Sequence, residues 1–443
     1  MTEVLKKTPI FRLFERFYNT FDGCWDKHNF LIMQIYTVSK PDSNLCGTIS
    51  LSPSKSISNR DIVIRALKNA KFDIKMVSEK DAAKVFAEEI RKGEVPLEAG
   101  DPAKAIRLLR AFLSYFKGDW IVTGSAEMHK RPVGDVIDML QKQGINIKYI
   151  EREGFPPLKI IGKAIKGNII RVDAVICSQF ITTSLLLSPN LSSDDVVEFR
   201  NRVVSSPYIR QTLRLLRYLG INSNWNKDEI LIENDLHGES AMTVESDWLS
   251  ASYWYQMAAI SSKAELTIEG LNPDSVQSDA IVKELFEPIG VITIPTKNGV
   301  VLSKTKRKLD MFEYDFSNNP HLIPTMVATC VATQLPFRFS GIEVMNCQEP
   351  NRLMALQSQF NRVGAKLKVE KKGVFETLTF DGKSVFPKDV TIEFKPLDDH
   401  RVTMALAGLV AKGCKVSLDN PRVVSKSYPG FWDDLKRVEI QVE

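Results

Sequence analysis

No apolar run in this chain reaches the 18 or more residues that a membrane-spanning helix needs, so no such helix is expected. Cysteine is sparse: six residues in 443 (Cys24, Cys46, Cys177, Cys330, Cys347, Cys414), with no CxxC pair. No Cys/His cluster has zinc spacing, so neither a disulfide framework nor a zinc site is expected. Scattered cysteines suit a reducing cytoplasm. Charge of one sign is also scarce. The 59 basic and 54 acidic residues are well mixed and leave a net +5, which does not argue for nucleic acid. A basic patch confined to a cleft, drawing small anions, fits the same balance.

What is present is an ordinary globular composition, 44% hydrophobic and 26% charged, over a length that implies two or more domains. The first 32 residues stand apart. They are rich in aromatics, they lack the unbroken apolar core of a secretory signal, and Met33 opens a new pattern, QIYTVSKP, that reads as a strand and a turn. One explanation is that they are an appendage, or that an upstream start codon was chosen in error.

The chain repeats itself. DVIDMLQKQGINIKYI, QTLRLLRYLGINSNW, AIVKELFEPIGVITI and LQSQFNRVGAKLKV each read as amphipathic helix, glycine, alternating strand. Their glycines, Gly144, Gly220, Gly290 and Gly364, lie 76, 70 and 74 residues apart. A glycine in the left-handed region ends a helix without the Cβ clash that other residues suffer. RALKNAKFDIKMV (65–77) is a weaker copy without the glycine. The period leaves room for about six copies, each too long for a solenoid unit. They are expected to be small α/β subdomains grouped around buried helices, three to a domain.

One loop carries an unusual density of cations and hydroxyls. PSKSISNR (53–60) follows the strand pattern GTISLS and precedes the helical pattern DIVIRALKNA. At such a junction, free backbone N–H groups and the positive helix pole favour an anion. The alternative is a solvated turn in which Ser58 or Asn59 caps the helix.

Five further motifs occur in order: ICSQFITTSLLLSP, SSPYIRQTLRLLRYLGI, VESDWLSASYWYQMAA, LDDHRVTMALAGL and SKSYPGFWDDL. With PSKSISNR they resemble the 5-enolpyruvylshikimate-3-phosphate synthase family, the 3-phosphoshikimate 1-carboxyvinyltransferases, from about Ile35 to Leu435. The resemblance implies an inside-out α/β fold of two domains, each of three βαβαββ units. Residues 33–53 with 246–443 would form one domain and 54–245 the inserted one, with crossings near Pro53 and Ser246 and the active site in the cleft between them. It implies transfer of the enolpyruvyl group of phosphoenolpyruvate to the 5-hydroxyl of shikimate 3-phosphate, with no metal or organic cofactor, by a cytoplasmic monomer whose partners are these two small anions.

The same resemblance assigns residues. Lys55, Ser56, Arg60, Ser178, Gln179, Ser205 and Tyr208 match shikimate-phosphate contacts, while Lys55, Gln179, Arg352, Arg401 and Lys426 match phosphoenolpyruvate contacts. Glu349 matches the proton-transfer glutamate, and Lys55 counts with the catalytic group. Read alone, Arg401 also fits a surface pair with Asp398 or Asp399, and Lys426 a solvated cation.

The chain departs from the family pattern at several contacts. GDPAKAIR puts Asp101, Ala103 and Lys104 where the family has asparagine, glycine and threonine. Glu127 stands in place of an arginine, Cys177 of a serine, and His321 of the aspartate that works as acid or base. Gln348 replaces a lysine, and Val344 falls near a phosphate-binding asparagine. Exchanging arginine for glutamate turns attraction for an anion into repulsion, each about 4 kcal/mol at about 4 Å and an effective dielectric of about 20.

Overall fold

A computed structural model describes residues 34–54 except 41 and residues 244–443 except 348–351, 374 and 388–389. Between these it describes 56–58, 118–122, 146–155, 158–162, 169–173, 196–200, 206–218, 220–226 and 229–234, with a few single residues such as Arg60. The chain divides into two compact units. One draws on Lys55–Val204 and Tyr208–Met242; the other on Met33–Ser54, Ser205–Pro207 and Thr243–Glu443.

The second unit is built from one plan used three times: two parallel strands, then two antiparallel ones. The copy at 312–380 is contiguous. Strand Phe312–Asp315 leads through helix Ile323–Ala332 to the parallel strand Phe337–Ser340. Helix Arg352–Phe360 then leads to the hairpin Lys368–Lys372 and Phe375–Phe380, whose second strand pairs antiparallel with 337–340. This is the βαβαββ order. Gly364, left-handed at φ 72°, separates the helical segment from its strand as the repeat glycines require. Gly290 does the same at φ 101°, and a Cβ there would meet the Thr305 carbonyl at 2.6 Å.

The other two copies are closed by the chain's N-terminal strands. Asn44–Ser50 pairs in parallel with Lys263–Glu269, which continues antiparallel through Gly299–Lys304 to Val291–Thr296. Ile35–Ser39 lies antiparallel between Lys415–Asp419 and Gln441–Val442, and 415–419 pairs in parallel with Thr391–Phe394. Ile49 and Leu51, the alternating pair of GTISLS, are both buried. In the first unit the described strands form one sheet on the same plan (169–173, 196–200, 229–234, 221–226) and a second of three strands.

At the centre of the second unit lie helices whose surfaces are mostly apolar on every side, which is why they are buried on all sides. Helix Trp248–Ile260 leaves only Leu249 partly exposed, and every residue of 323–332 is buried. Helix His400–Ala407 continues into the 3-10 segment Gly408–Lys412 beside them. Ser252 Oγ meets Thr325 Oγ1 at 3.2 Å, and Gln256 Nε2 donates to the Ala405 carbonyl at 2.6 Å. These contacts align the three segments in parallel. Gly408 admits Gln256 at this crossing, where a Cβ would lie 2.7 Å from its amide nitrogen. Pro53 and Ser246 bridge, with Ser54 N–H donating to Glu245 O and Asp247 N–H to Ser52 O. No helix among the described residues is long and apolar enough to cross a membrane.

Candidate active site

The parallel alignment brings helix N-termini together at one end of the second unit, and the candidate arginines lie there. Arg352 is the first residue of helix 352–360 and Arg401 the second of helix 400–407. Both are buried, at 3% and 6% exposure. A cation at a helix N-terminus opposes the local dipole, so this placement is unfavourable by itself.

Asp399, wholly buried at 0%, makes it possible. Its Oδ1 accepts the backbone N–H groups of Arg401 (2.8 Å) and Val402 (3.1 Å), capping the helix. Its Oδ2 accepts Arg352 Nε–H at 2.8 Å. One carboxylate thus sets the helix that carries Arg401 and the side chain of Arg352 together. Burial pulls the Arg352 guanidinium below its ordinary range, and the Asp399 charge opposes that shift. The surface-pair reading of Arg401 is corrected here: Asp399 is buried, its ion pair is with Arg352, and it meets Arg401 through the main chain.

The loop before the cap is strained. Leu397 and Asp398 both lie in the left-handed region, at φ 55° and 59°. Asn420, itself at φ 43°, donates from Nδ2 to Asp398 Oδ1 at 2.5 Å and pins the loop. Helix 248–260 adds Asp247 as its N-cap, accepting Leu249 N–H at 2.9 Å. Burial pushes the Asp247 carboxyl up, while the Leu249 N–H and the nearby Arg401 charge oppose the rise.

Lys426 ends the 3-10 segment Pro421–Lys426, which packs on helix 400–407. It is exposed, and no described residue pairs with it. Two residues on, Tyr428 anchors the segment: its hydroxyl donates to Asp434 Oδ2 at 2.6 Å and accepts Trp254 Nε1–H at 3.1 Å. His321 sits half-buried in the 3-10 turn Pro320–Leu322 at the head of helix 323–332. Val344 lies in the 3-10 segment Ile342–Cys347.

In the first unit, Arg60 folds back on PSKSISNR. Its Nη1 donates to Ser56 O (2.8 Å) and Ser56 Oγ (2.5 Å), and its Nε to Thr212 Oγ1 (3.0 Å). Thr212 in turn donates to the carbonyl of buried Tyr208 at 3.0 Å. Ser56, Arg60 and the helix of Tyr208 therefore meet. Ser56, Ile57 and Ser58 are already helical, so the expected loop is shorter and Ser58 does not cap from outside. Lys55, Asp101, Ala103, Lys104, Glu127, Cys177, Ser178, Gln179, Ser205, Gln348 and Glu349 lie outside the described residues, as do the segments 1–32 and 65–77.

Asp399 and Asp247 were missed as site residues in the sequence. A signal existed for the first: in LDDHR an aspartate stands two before the arginine, which is N-cap spacing for a helix that opens on a cation.

The family model for EPSP synthase (3-phosphoshikimate 1-carboxyvinyltransferase) matches residues 66–435. The 3-phosphoshikimate 1-carboxyvinyltransferase of Bacteroides fragilis strain YCH46 is 34% identical over 403 residues, covering 91% of this chain and 97% of that one. That of Colwellia psychrerythraea is 29% identical over 429 residues, covering 90% and 98%. Among solved structures, an EPSP synthase from Acinetobacter baumannii superposes with a TM-score of 0.66 at 19% identity, over 93% of this chain and all of that one. The enolpyruvyl transferase NikO from Streptomyces tendae gives 0.65 at 14% identity, over 92% and 98%. The two-domain enolpyruvyl transferase fold that the resemblance implies is the fold of these neighbours, and the chain belongs to the EPSP synthase (3-phosphoshikimate 1-carboxyvinyltransferase) family.

Proposed function

We propose that this chain transfers the carboxyvinyl group of phosphoenolpyruvate to the 5-hydroxyl of shikimate 3-phosphate, as a cytoplasmic monomer. The observation that carries the reading is the buried pair Arg352 and Arg401 set on helix N-termini by one carboxylate, Asp399. Two guanidinium groups and the positive helix poles form a site for the phosphate and carboxylate of phosphoenolpyruvate. Lys426, exposed on an anchored segment, adds a third cation.

The acceptor oxygen adds to C2 of the enolpyruvyl group while a proton adds to C3. Loss of phosphate from C2 and of a proton from C3 then restores the double bond. Glu349 moves the proton at C3, and Lys55 neutralises charge on both substrates. His321 takes the hydroxyl proton in place of the family's aspartate, its imidazole serving as the base. Ser56, Arg60, Ser178, Gln179, Ser205 and Tyr208 hold shikimate 3-phosphate.

Phosphate release by the pure protein, given both substrates together, tests the reading. Release that requires both supports it; no release at any protein concentration sinks it. The sequence motivates a second outcome, because Glu127, Gln348 and His321 all alter substrate contacts. Glu127→Arg is expected to lower KM for phosphoenolpyruvate, and more so with His321→Asp and Gln348→Lys, as a ground-state contact should. A triple variant without turnover identifies a paralogue rebuilt for another ligand.

A further inference from the structure

We propose that Tyr253 is a third donor, beside Arg352 and Arg401, to the anion bound at this site. The inference rests on the reading above that the arginine pair takes an anion. Tyr253 lies on helix 248–260, six residues beyond its N-cap, and is 1% exposed. Phe431 holds its ring edge-on at a centroid separation of 6.1 Å. Its hydroxyl lies within the fields of Arg401, Asp399 and Arg352. The Arg401 guanidinium is adjacent and can only donate to Tyr253 Oη, and no described residue accepts the phenol hydrogen.

The neighbours on the same helix behave differently. Tyr255 OH bonds Thr293 Oγ1 at 2.7 Å, and Trp254 Nε1–H donates to Tyr428 at 3.1 Å. The helix therefore satisfies its aromatic polar groups where they face strands and loops, and leaves unmatched the one that faces the arginines. Buried polar groups in native proteins are overwhelmingly paired, so an unmatched one calls for a reason. A phosphate or carboxylate oxygen held by Arg401 would accept the phenol O–H as well. Burial pushes this phenol up to about 12, with the Arg401 charge opposing. It keeps its proton at neutral pH and acts only as a donor. It binds the anion and transfers no proton.

Tyr253→Phe removes one oxygen and keeps the ring. Wild type and variant are titrated calorimetrically with inorganic phosphate and with phosphoenolpyruvate at pH 6.5 and 8.5, and both are melted. Arg401→Met serves to identify the heat that belongs to this site. Both anions are expected to bind the phenylalanine variant tenfold or more weakly at either pH, the factor that a hydrogen bond to a charged group carries. Its melting temperature is expected to be unchanged or higher, because an unmatched buried hydroxyl has gone. Unchanged affinity for both anions overturns the proposal. So does a lower melting temperature with unchanged affinity, or a wild type that binds neither anion. Tenfold weaker binding by the variant, from a wild type that releases no phosphate with both substrates, keeps the proposal and sinks the carboxyvinyl-transfer reading.

Discussion

The two ends of the buried helices in the second unit carry the same kind of charge for opposite reasons. At their C-terminal end, Lys304 donates to the Ala259 carbonyl and Arg307 donates to the Thr333 carbonyl at 3.0 Å, with Lys412 nearby. Cations there complement the negative helix poles and satisfy carbonyls that have no partner within the helix. At the N-terminal end, Arg352 and Arg401 face positive poles and are held against them by Asp399. Stability alone would place carboxylates there, as Asp247 and Asp399 do, and no arginines. The contrast teaches that the C-terminal cations serve the fold, whereas the N-terminal ones are tolerated by it and serve a ligand.

The sharpest way to break this comparison is Asp399→Ala. It removes a helix cap and leaves Arg352 buried without its counter-charge, so a loss of about 3–5 kcal/mol is expected in urea unfolding. A loss below about 1 kcal/mol would mean that the carboxylate does not hold the pair. Next comes Arg401→Met. If the N-terminal cations are present for a ligand, kcat/KM for phosphoenolpyruvate should fall by about a hundredfold, while stability stays level or rises. A destabilised variant with normal kinetics would reverse the assignment.

Lys304→Met probes the other end. Burial first, then Lys412 and Arg307, pull the Lys304 amine down to about 8 from an ordinary 10.5. Between those values the unfolded chain binds a proton that the folded chain does not, so this group makes stability rise with pH from about 8 to about 10.5. Urea midpoints across that window should climb in the wild type and climb less in the variant; equal slopes would refute the assignment. The smallest change is expected for Lys426→Ala, an exposed side chain: stability within about 0.5 kcal/mol, with the effect confined to KM for phosphoenolpyruvate. A clear loss of stability would mean that Lys426 belongs to the fold.

Much of this was legible in the chain. The period of the glycines announced the repeats, because a left-handed residue is needed wherever a helix stops and a strand follows at once; Gly220, Gly290 and Gly364 all have positive φ. The arginines were found through motif order, since as single residues they look like surface cations. The partner of Arg352 was not legible: Asp399 is 47 positions away, and nothing local to either distinguishes a buried pair from two solvated side chains.

By itself, the sequence determined the α/β repeat, the helix and strand faces, and the family, because these depend on periodicity and on residue types at fixed spacing. Only the tertiary structure decided which polar groups meet. Packing puts the N-termini of helices 248–260, 352–360 and 400–407 at one end, so that Asp399 pairs with Arg352 and caps the helix of Arg401, and Tyr253 faces both arginines. That outcome depends on register between segments, set by contacts such as Gln256 against Gly408, and no local pattern encodes it.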